Sequence, residues 1–496
     1  LNGFGKLSKK FWHSLQRHPS PELQSSWNWA QLAFVILPFS TLLGSFGILF
    51  ATIALWKLRS QLFLRRPVTW GFILFTLLLG ISAAFSPRPV DAFLGLFNFV
   101  PFFLGFVVLG ELIQTPAQLR QLAWIATWTS VPVALIGILQ MLLGWFGHQQ
   151  PLHFQVLWIV ADWNIDPRGT PTGRMSSIFF YANVLASYLV MSLALAMGLW
   201  MEGKKEEGRG KKKEGSQEAE GGRWKAEEIQ NPKSKIQNPK SKIQNPKFPT
   251  PHSPKPWLLA IVLLDAIALI LTNSRNAWAI AAISCFVLAV YHGWRWLLTA
   301  VSAISGSILI ASFGASPVRD WFRKIIPAFF WARLTDELYP NRPVATLRTT
   351  QWQFALSLTQ QRPWTGWGLR SFSPLYEAQT QYQLGHPHNL LLMLLCETGI
   401  LATLVLMGLV GWIVLQAILW LRGSMTQRQI LATQADGSIL RPERSPDRAI
   451  VFTFLATFLS CAGFSLFDIT LFDARINWLG WMLLAGIWGA TRSPKP

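Results

Sequence analysis

Two histidines and an asparagine stand at the entrance of a long apolar run in "YQLGHPHNLLLMLLCETGI" (Tyr382 to Ile400), and Glu397 lies inside it. Imidazole is the side chain whose ordinary titration falls nearest neutrality, so His386 and His388 are candidates for proton transfer. Pro387 is tolerated in a first helical turn, which predicts a helix beginning near His386. The positive end of such a helix disfavours an imidazolium and would leave His388 neutral, able to accept a proton. The competing reading is that His386 and His388 merely cap the helix or lie among lipid headgroups. Glu397 follows His388 by nine residues. At about 100° per residue it faces the other side of the helix, so a direct acid–base pair is not expected.

Other polar residues stand at the edges of apolar runs. In "TNSRNA" (Thr272 to Ala277) the turn itself needs only Asn273, Ser274 and Asn276, which leaves Arg275 in excess. Taken alone, Arg275 snorkels to headgroups. "PTGRMSSIFFYANVLASYL" (Pro171 to Leu189) opens another run. There Arg174 fits a headgroup anchor and Asn183 an interhelical hydrogen-bonding residue. Asp265 and Glu397 lie deeper, where a carboxylate is costly and signals either function or a partnered structural role.

These groups need a frame, and composition supplies it. Of 496 residues, 51% are hydrophobic and only 14% charged. That charged share is well below the roughly 25% of a soluble domain. Many runs reach the ~17–25 apolar residues that span a bilayer, so the fold class expected is all-α and polytopic. The 26 tryptophans suit the membrane–water boundary. A net charge of +20 would suggest nucleic acid, but the basic residues gather in particular loops, so no nucleic-acid partner is expected. Residues 1–27 are polar and basic, without the pattern of a cleavable signal peptide. Cys285, Cys396 and Cys461 lie within apolar runs and form neither a disulfide framework nor a metal-ligand spacing.

Eleven apolar segments are visible, yet both flanks of the first, residues 28–57, are basic. A double crossing broken around "PFSTLLG" (Pro38 to Gly44) resolves this parity and gives about twelve spans. The chain then divides into a cytoplasmic N-terminus (1–27), a first membrane bundle of about six spans (28–201) and a cytoplasmic loop (202–256). Spans seven to nine (257–314), a large outer loop (315–387), spans ten to twelve (388–490) and a cytoplasmic tail (491–496) follow. The 202–256 loop is basic and carries "IQNPKSK" from Ile229 and again from Ile236. A proline in each repeat breaks a helix interior, so a disordered insert is expected rather than a coiled coil. The 315–387 loop instead looks folded. "PVRDWFRKIIPAFFWARL" (Pro317 to Leu334) has the mixture of an interfacial helix, and "LRTTQWQFALSLTQ" (Leu347 to Gln360) reads as a second helix closed by "QRPWTGWG". It is a lid rather than a tether.

"SRNAW", then "RTTQWQFAL" (Arg348 to Leu356), "PWTGWGLRSF" and "HPHNLLLMLLCETGI" occur in this order. Together they resemble the O-antigen ligase and polymerase family over about residues 270–420, and "GRMSSIFFYANVLASYL" extends the likeness. The resemblance implies an integral-membrane glycosyltransferase of the bacterial inner membrane, working at its periplasmic face. Such enzymes move a glycan from an undecaprenyl-diphosphate carrier to an acceptor hydroxyl on a glycan or glycolipid, with no cofactor and no metal. A large outer loop before the tenth span is also the family arrangement. Carried onto this chain, Arg275 and Arg348 would hold the diphosphate with Arg174 in support, since guanidinium pairs with phosphate oxygens bidentately. His388 would be the general base, with inversion at the anomeric carbon. His386 and Asn389 would orient the base or acceptor, Asn183 would support substrate binding, and Arg370 would add a phosphate contact. A related branch is described as inorganic-carbon transporters. It shares the "RPW-x-G-x-G" region but tends to lack the paired "H-x-H-N" present here, so bicarbonate transport through Asp265 and Glu397 is the alternative.

Overall fold

The computed structural model describes residues 16–157, 160–203, 256–335, 337, 343–436 and 446–492. The N-terminus to residue 15 and nearly all of the basic repeat-bearing insert lie outside the described residues. Among the described residues the regular structure is helical except for one short antiparallel hairpin, β1 (Leu152–Val156) and β2 (Ala161–Ile165), which the apolar periodicity does not suggest.

The 28–57 segment is two helices, α1 (Gln24–Ile36) and α2 (Thr41–Leu64), broken around Pro38. Next come α3 (Pro67–Ala84) and a bent pair, α4 (Pro89–Gly95) and α5 (Val100–Leu112). The first half ends with α6 (Pro116–Trp145) and α7 (Ala182–Gly203). Thr115 starts α6 with a capping box, its hydroxyl accepting from Gln118 N–H. Past the insert come α8 (Pro256–Leu271), α9 (Arg275–His292) and α10 (Arg295–Phe313). The lid holds α11 (Val318–Ile325), α12 (Ala328–Leu334), α13 (Arg348–Gln361) and α14 (Phe372–Thr380). The chain closes with α15 (Leu390–Asp436), α16 (Pro446–Ser465) and α17 (Ala474–Arg492).

Among the described residues, eight helices are long and apolar enough to cross a membrane. Helix α7 is almost wholly enclosed by the others, whereas α10 buries little of itself and shows Ile304 and Leu309 outward. An apolar exterior of this extent is stable in lipid, not in water. The chain is therefore a multi-pass membrane protein.

Opposite ends of the bundle differ. At one, Glu111 pairs with Arg66 and Arg492, and Arg120 joins Glu202 to Asp447. The other end gathers the α8–α9 turn, the start of α7, the lid, the start of α15 and the α16–α17 turn.

One expectation for the lid changes, and so does one for the span that follows it. Residues 317–334 are not one interfacial helix; the chain breaks at Ile326 and Pro327, since proline blocks continuation. Arg323 stacks over Trp331 at 4.0 Å and donates to the Ala311 carbonyl, folding the two short helices together. Helix α15 is likewise interrupted, at Gly399 with φ of 82°.

That interruption receives the base of the lid. Trp367 N donates to Cys396 O at 2.9 Å, Gly368 N to Glu397 O at 2.8 Å, and Ile400 N to Pro363 O at 2.8 Å. A Cβ on Gly399 would come within 2.2 Å of the Trp364 carbonyl oxygen. Gly399→Ala is therefore expected to free the lid base. Left-handed strain alone costs about 1–3 kcal/mol. Limited trypsin digestion should cut faster after Arg362 and Arg370 in the variant; an unchanged digestion rate would contradict the docking.

Candidate active site

The histidines sit in a turn, not in a helix. Helix α15 begins at Leu390, and Asn389 caps it by accepting from Leu392 N–H at 3.1 Å. The expected start near His386 is thus about a turn too early. Pro387 belongs to the extended entry, and His388 takes a left-handed φ of 52°. Asn389 fixes that turn through its cap.

His388 is therefore acted on by a carboxylate rather than by a helix end. Its Nδ1 lies 2.9 Å from Asp468 Oδ1, a buried carboxylate in the α16–α17 turn. Facing a carboxylate, Nδ1 carries a proton, so in the neutral ring Nε2 is the atom with the free lone pair. Burial alone would raise the Asp468 carboxyl. The His388 hydrogen bond, with the neighbouring His388 and the Arg348 guanidinium, outweighs it and holds the group below the ordinary range. Asp468 also accepts from Asn183 Nδ2 and from Ile469 N–H.

His386 packs edge-on against His388, ring centroids 4.6 Å apart, and its Nδ1 accepts the His388 backbone N–H. Burial, with the neighbouring His388 charge, pushes its imidazole down to about 4. His386 is neutral at any physiological pH and acts as a wall and acceptor rather than as a cation.

Each arginine is held by a nearby element. Arg174 donates from Nε to the Thr272 carbonyl at 2.9 Å and from Nη2 to Asn183 Oδ1. It straps the 170–183 segment onto the α8–α9 turn, and Asn183 passes that strap on to Asp468. Gln140 fixes the same segment from below, accepting from Ser176 and Ser177 N–H. Arg275, first residue of α9, donates to the Arg333 carbonyl of the lid at 2.9 Å.

Arg348 and Trp352 lie one turn apart on α13 and so share a face. With its amide oxygen turned to the guanidinium, Asn276 accepts from Arg348 Nη2 and Nη1 at 3.0 and 3.2 Å. Trp352 Nε1 donates to the Pro387 carbonyl at 3.0 Å, steadying the histidine turn. The spacing R-x-x-x-W therefore ties the lid to both the arginine cluster and the histidines.

Three participants escaped the sequence reading: Asp468, Arg333 and Tyr181. Half-buried Tyr181 lies beneath Arg174, whose guanidinium is 5.9 Å from its ring, and it feels the charges of Asp468, Arg333 and Arg348 as well. Asp468 had a usable signal, as a carboxylate in the short turn between the last two apolar runs. Ser177, Asn273, Arg370 and His388 all have left-handed backbones. Strain of this kind collects at functional sites. Arg370 stands apart from the cluster, in the turn before α14, and Glu397 faces that turn by accepting from Phe372 N–H at 3.1 Å.

His386, His388 and Asp468 also offer ligand atoms within 4.8 Å of one another. A cation there would compete with the proton between His388 and Asp468 and with the N–H that His386 accepts. The donor set therefore fits proton handling better than metal binding.

No curated protein matches the chain. Residues 260–407 match the family model described as O-Antigen ligase. The matched stretch includes Arg275, Arg348, Arg370, His386, His388 and Asn389, while Arg174, Asn183 and Asp468 lie outside it. Residues 260–407 are thus similar to the O-antigen ligase family, and that likeness supports a role in membrane glycan assembly.

Proposed function

We propose that the protein transfers a glycan from undecaprenyl diphosphate to an acceptor hydroxyl at the periplasmic face of the bacterial inner membrane. The observation that carries this reading is the His388–Asp468 pair, with Arg348 near enough to act on Asp468 and Arg275 at the start of α9, next to the Asn276 that holds Arg348. His388 Nε2 takes the acceptor proton as the hydroxyl oxygen attacks the anomeric carbon. The bond from that carbon to the diphosphate oxygen breaks, and its electron pair leaves with the phosphate. Arg275 and Arg348 meet the charge that develops there. Arg174 and Asn183 position Asp468 and the α8–α9 turn. Attack opposite to the leaving group inverts the anomeric carbon, and no metal enters any step.

Purified protein given a polyprenyl-diphosphate glycan and an acceptor should release polyprenyl diphosphate at an undiminished rate in a strong chelator, and the product linkage should be inverted by NMR. Loss of activity in the chelator, restored by a divalent ion, would overturn the metal-free step. Retention of configuration would overturn the direct displacement.

Transport through Asp265 finds little support. Asp265 is fully buried, accepts from Ser130 and Ser192 hydroxyls at 3.0 and 2.9 Å, and joins α8 to α6 and α7. Asn supplies a similar acceptor, so Asp265→Asn is expected to keep glycan transfer within about twofold. Lost bicarbonate uptake in vesicles containing that variant would favour transport instead.

A further inference from the structure

The β1–β2 hairpin has two unlike faces. Residues directly opposite each other in an antiparallel pair share a face. Leu152 with Ile165, Phe154 with Trp163 and Val156 with Ala161 make one face apolar. His153 with Asn164 and Gln155 with Asp162 make the other polar, and His153 pairs with Asp162 across it.

The hairpin lies across the end of the bundle that carries the histidine turn. At its tip the Val160 carbonyl accepts from the Ser40 hydroxyl, and Trp163 Nε1 donates to the Phe39 carbonyl at 2.9 Å, both in the α1–α2 turn. Just past β2, the Asp166 carbonyl accepts from Gln140 near the end of α6 at 2.8 Å. Helix α1 starts beside the opposite end of the bundle, where His18 Nε2 lies 2.9 Å from the Leu112 carbonyl, so its turn into α2 stands at the site end. Gln140 stands there too, since it holds Ser176 and Ser177. Two supports at one level lay the strands parallel to the membrane plane. Trp163 packs on Phe39 with 6.4 Å between rings, so the apolar face is turned down onto the bundle.

On that face β2 is half-buried over the helix ends. β1 reaches past them: Leu152, Phe154 and Val156 face the same way yet are 44%, 52% and 40% exposed. The two supports are apolar outside as well. Trp145 and Phe146 are exposed where α6 closes, and Leu43 and Phe46 are exposed in the first turns of α2. A partner in water would meet the polar face, whereas the apolar overhang meets what surrounds the bundle just below its end, which is lipid.

We infer that β1 is a wing seated in the lipid leaflet on the histidine side, at the boundary of headgroups and acyl chains. Leu152, Phe154 and Val156 point to the acyl chains, His153 and Gln155 to water. This seat does not depend on the transfer reaction proposed above.

The full chain in phosphatidylcholine vesicles tests it. Cysteine is introduced singly as Leu152→Cys, His153→Cys, Phe154→Cys, Gln155→Cys and Val156→Cys and tagged with a nitroxide. The unsubstituted chain is the blank for Cys285, Cys396 and Cys461. Power saturation compares collisions with oxygen, which concentrates in hydrocarbon, and with a water-soluble nickel complex. Tags at 152, 154 and 156 should favour oxygen by about threefold or more, and tags at 153 and 155 should favour nickel, as for an apolar face sunk ~5–10 Å into the interface. A preference for one reagent at all five positions overturns the inference. Low access to both reagents at 152, 154 and 156 means that protein covers this face and overturns it equally; line broadening that fades on dilution with unlabelled chain would identify a second copy. Phe154→Cys removes a ring stacked 5.1 Å from Trp163, and the tags at 152 and 156 keep the test sound if that change shifts the strand.

Discussion

His388→Ala should leave a well-folded protein whose transfer rate falls by about 10²–10⁴-fold, the usual worth of a positioned general base. Asp468→Asn should come close to that loss although it never touches substrate. An amide in place of the carboxylate no longer demands a proton on His388 Nδ1, and the wrong tautomer leaves Nε2 unable to accept. The diagnostic pattern is a fall in kcat with little change in the KM of either substrate, because the defect lies in the proton and not in binding. The pH profile sharpens the test. The depressed Asp468 carboxyl stays anionic well into acid, and His386, held near 4, is neutral above about pH 5. His386→Phe should therefore keep the shape of the profile above pH 5 even where it lowers the plateau. A wild-type rate in His388→Ala, or an Asp468→Asn enzyme altered only in KM, would refute the assignment.

The second large effect belongs to Arg275 and Arg348. Each donor aimed at developing charge is worth about 2.7–4 kcal/mol, or roughly 10²–10³-fold in rate. Arg275→Ala and Arg348→Ala should each cause lipid-linked glycan to accumulate in cells, with a matching loss of surface polysaccharide. Lysine should restore little, because an ammonium cannot make the paired, planar contact of a guanidinium. Arg348→Lys adds a structural cost, since Asn276 accepts from both terminal nitrogens of the arginine. Normal polysaccharide in both alanine variants would rule out a role for this pair in the reaction.

Much of the architecture was legible because lipid imposes simple rules. Runs of apolar residues, basic loops and a tryptophan-rich boundary identify a helical membrane protein without any site knowledge. The break at Pro38 and the helix at 348–361 were visible for the same reason: proline and turn chemistry act locally. Non-local contacts were not visible. His388 and Asp468 are 80 residues apart, and only folding brings the α16–α17 turn onto the histidine turn. The helix start was misplaced because Pro387 is compatible with a first helical turn, yet Asn389, a stronger cap, stands two residues later. Glu397 was set apart from His388 by supposing both on one helix. It is separate, but because the lid turn claims it.

Much of the scaffold around the site is fastened through main-chain carbonyls. Arg174 holds that of Thr272, Arg275 that of Arg333, Trp352 that of Pro387 and Arg475 that of Ile178. A carbonyl is the same whatever side chain it carries, so the accepting positions are free to drift in sequence while these bonds persist. Paired substitution is expected instead along the side-chain route from Asn183 through Asp468 to His388, where changing one member strands the next. An alanine scan of the accepting positions would leave these tethers in place, and the donors are where their strength is measured.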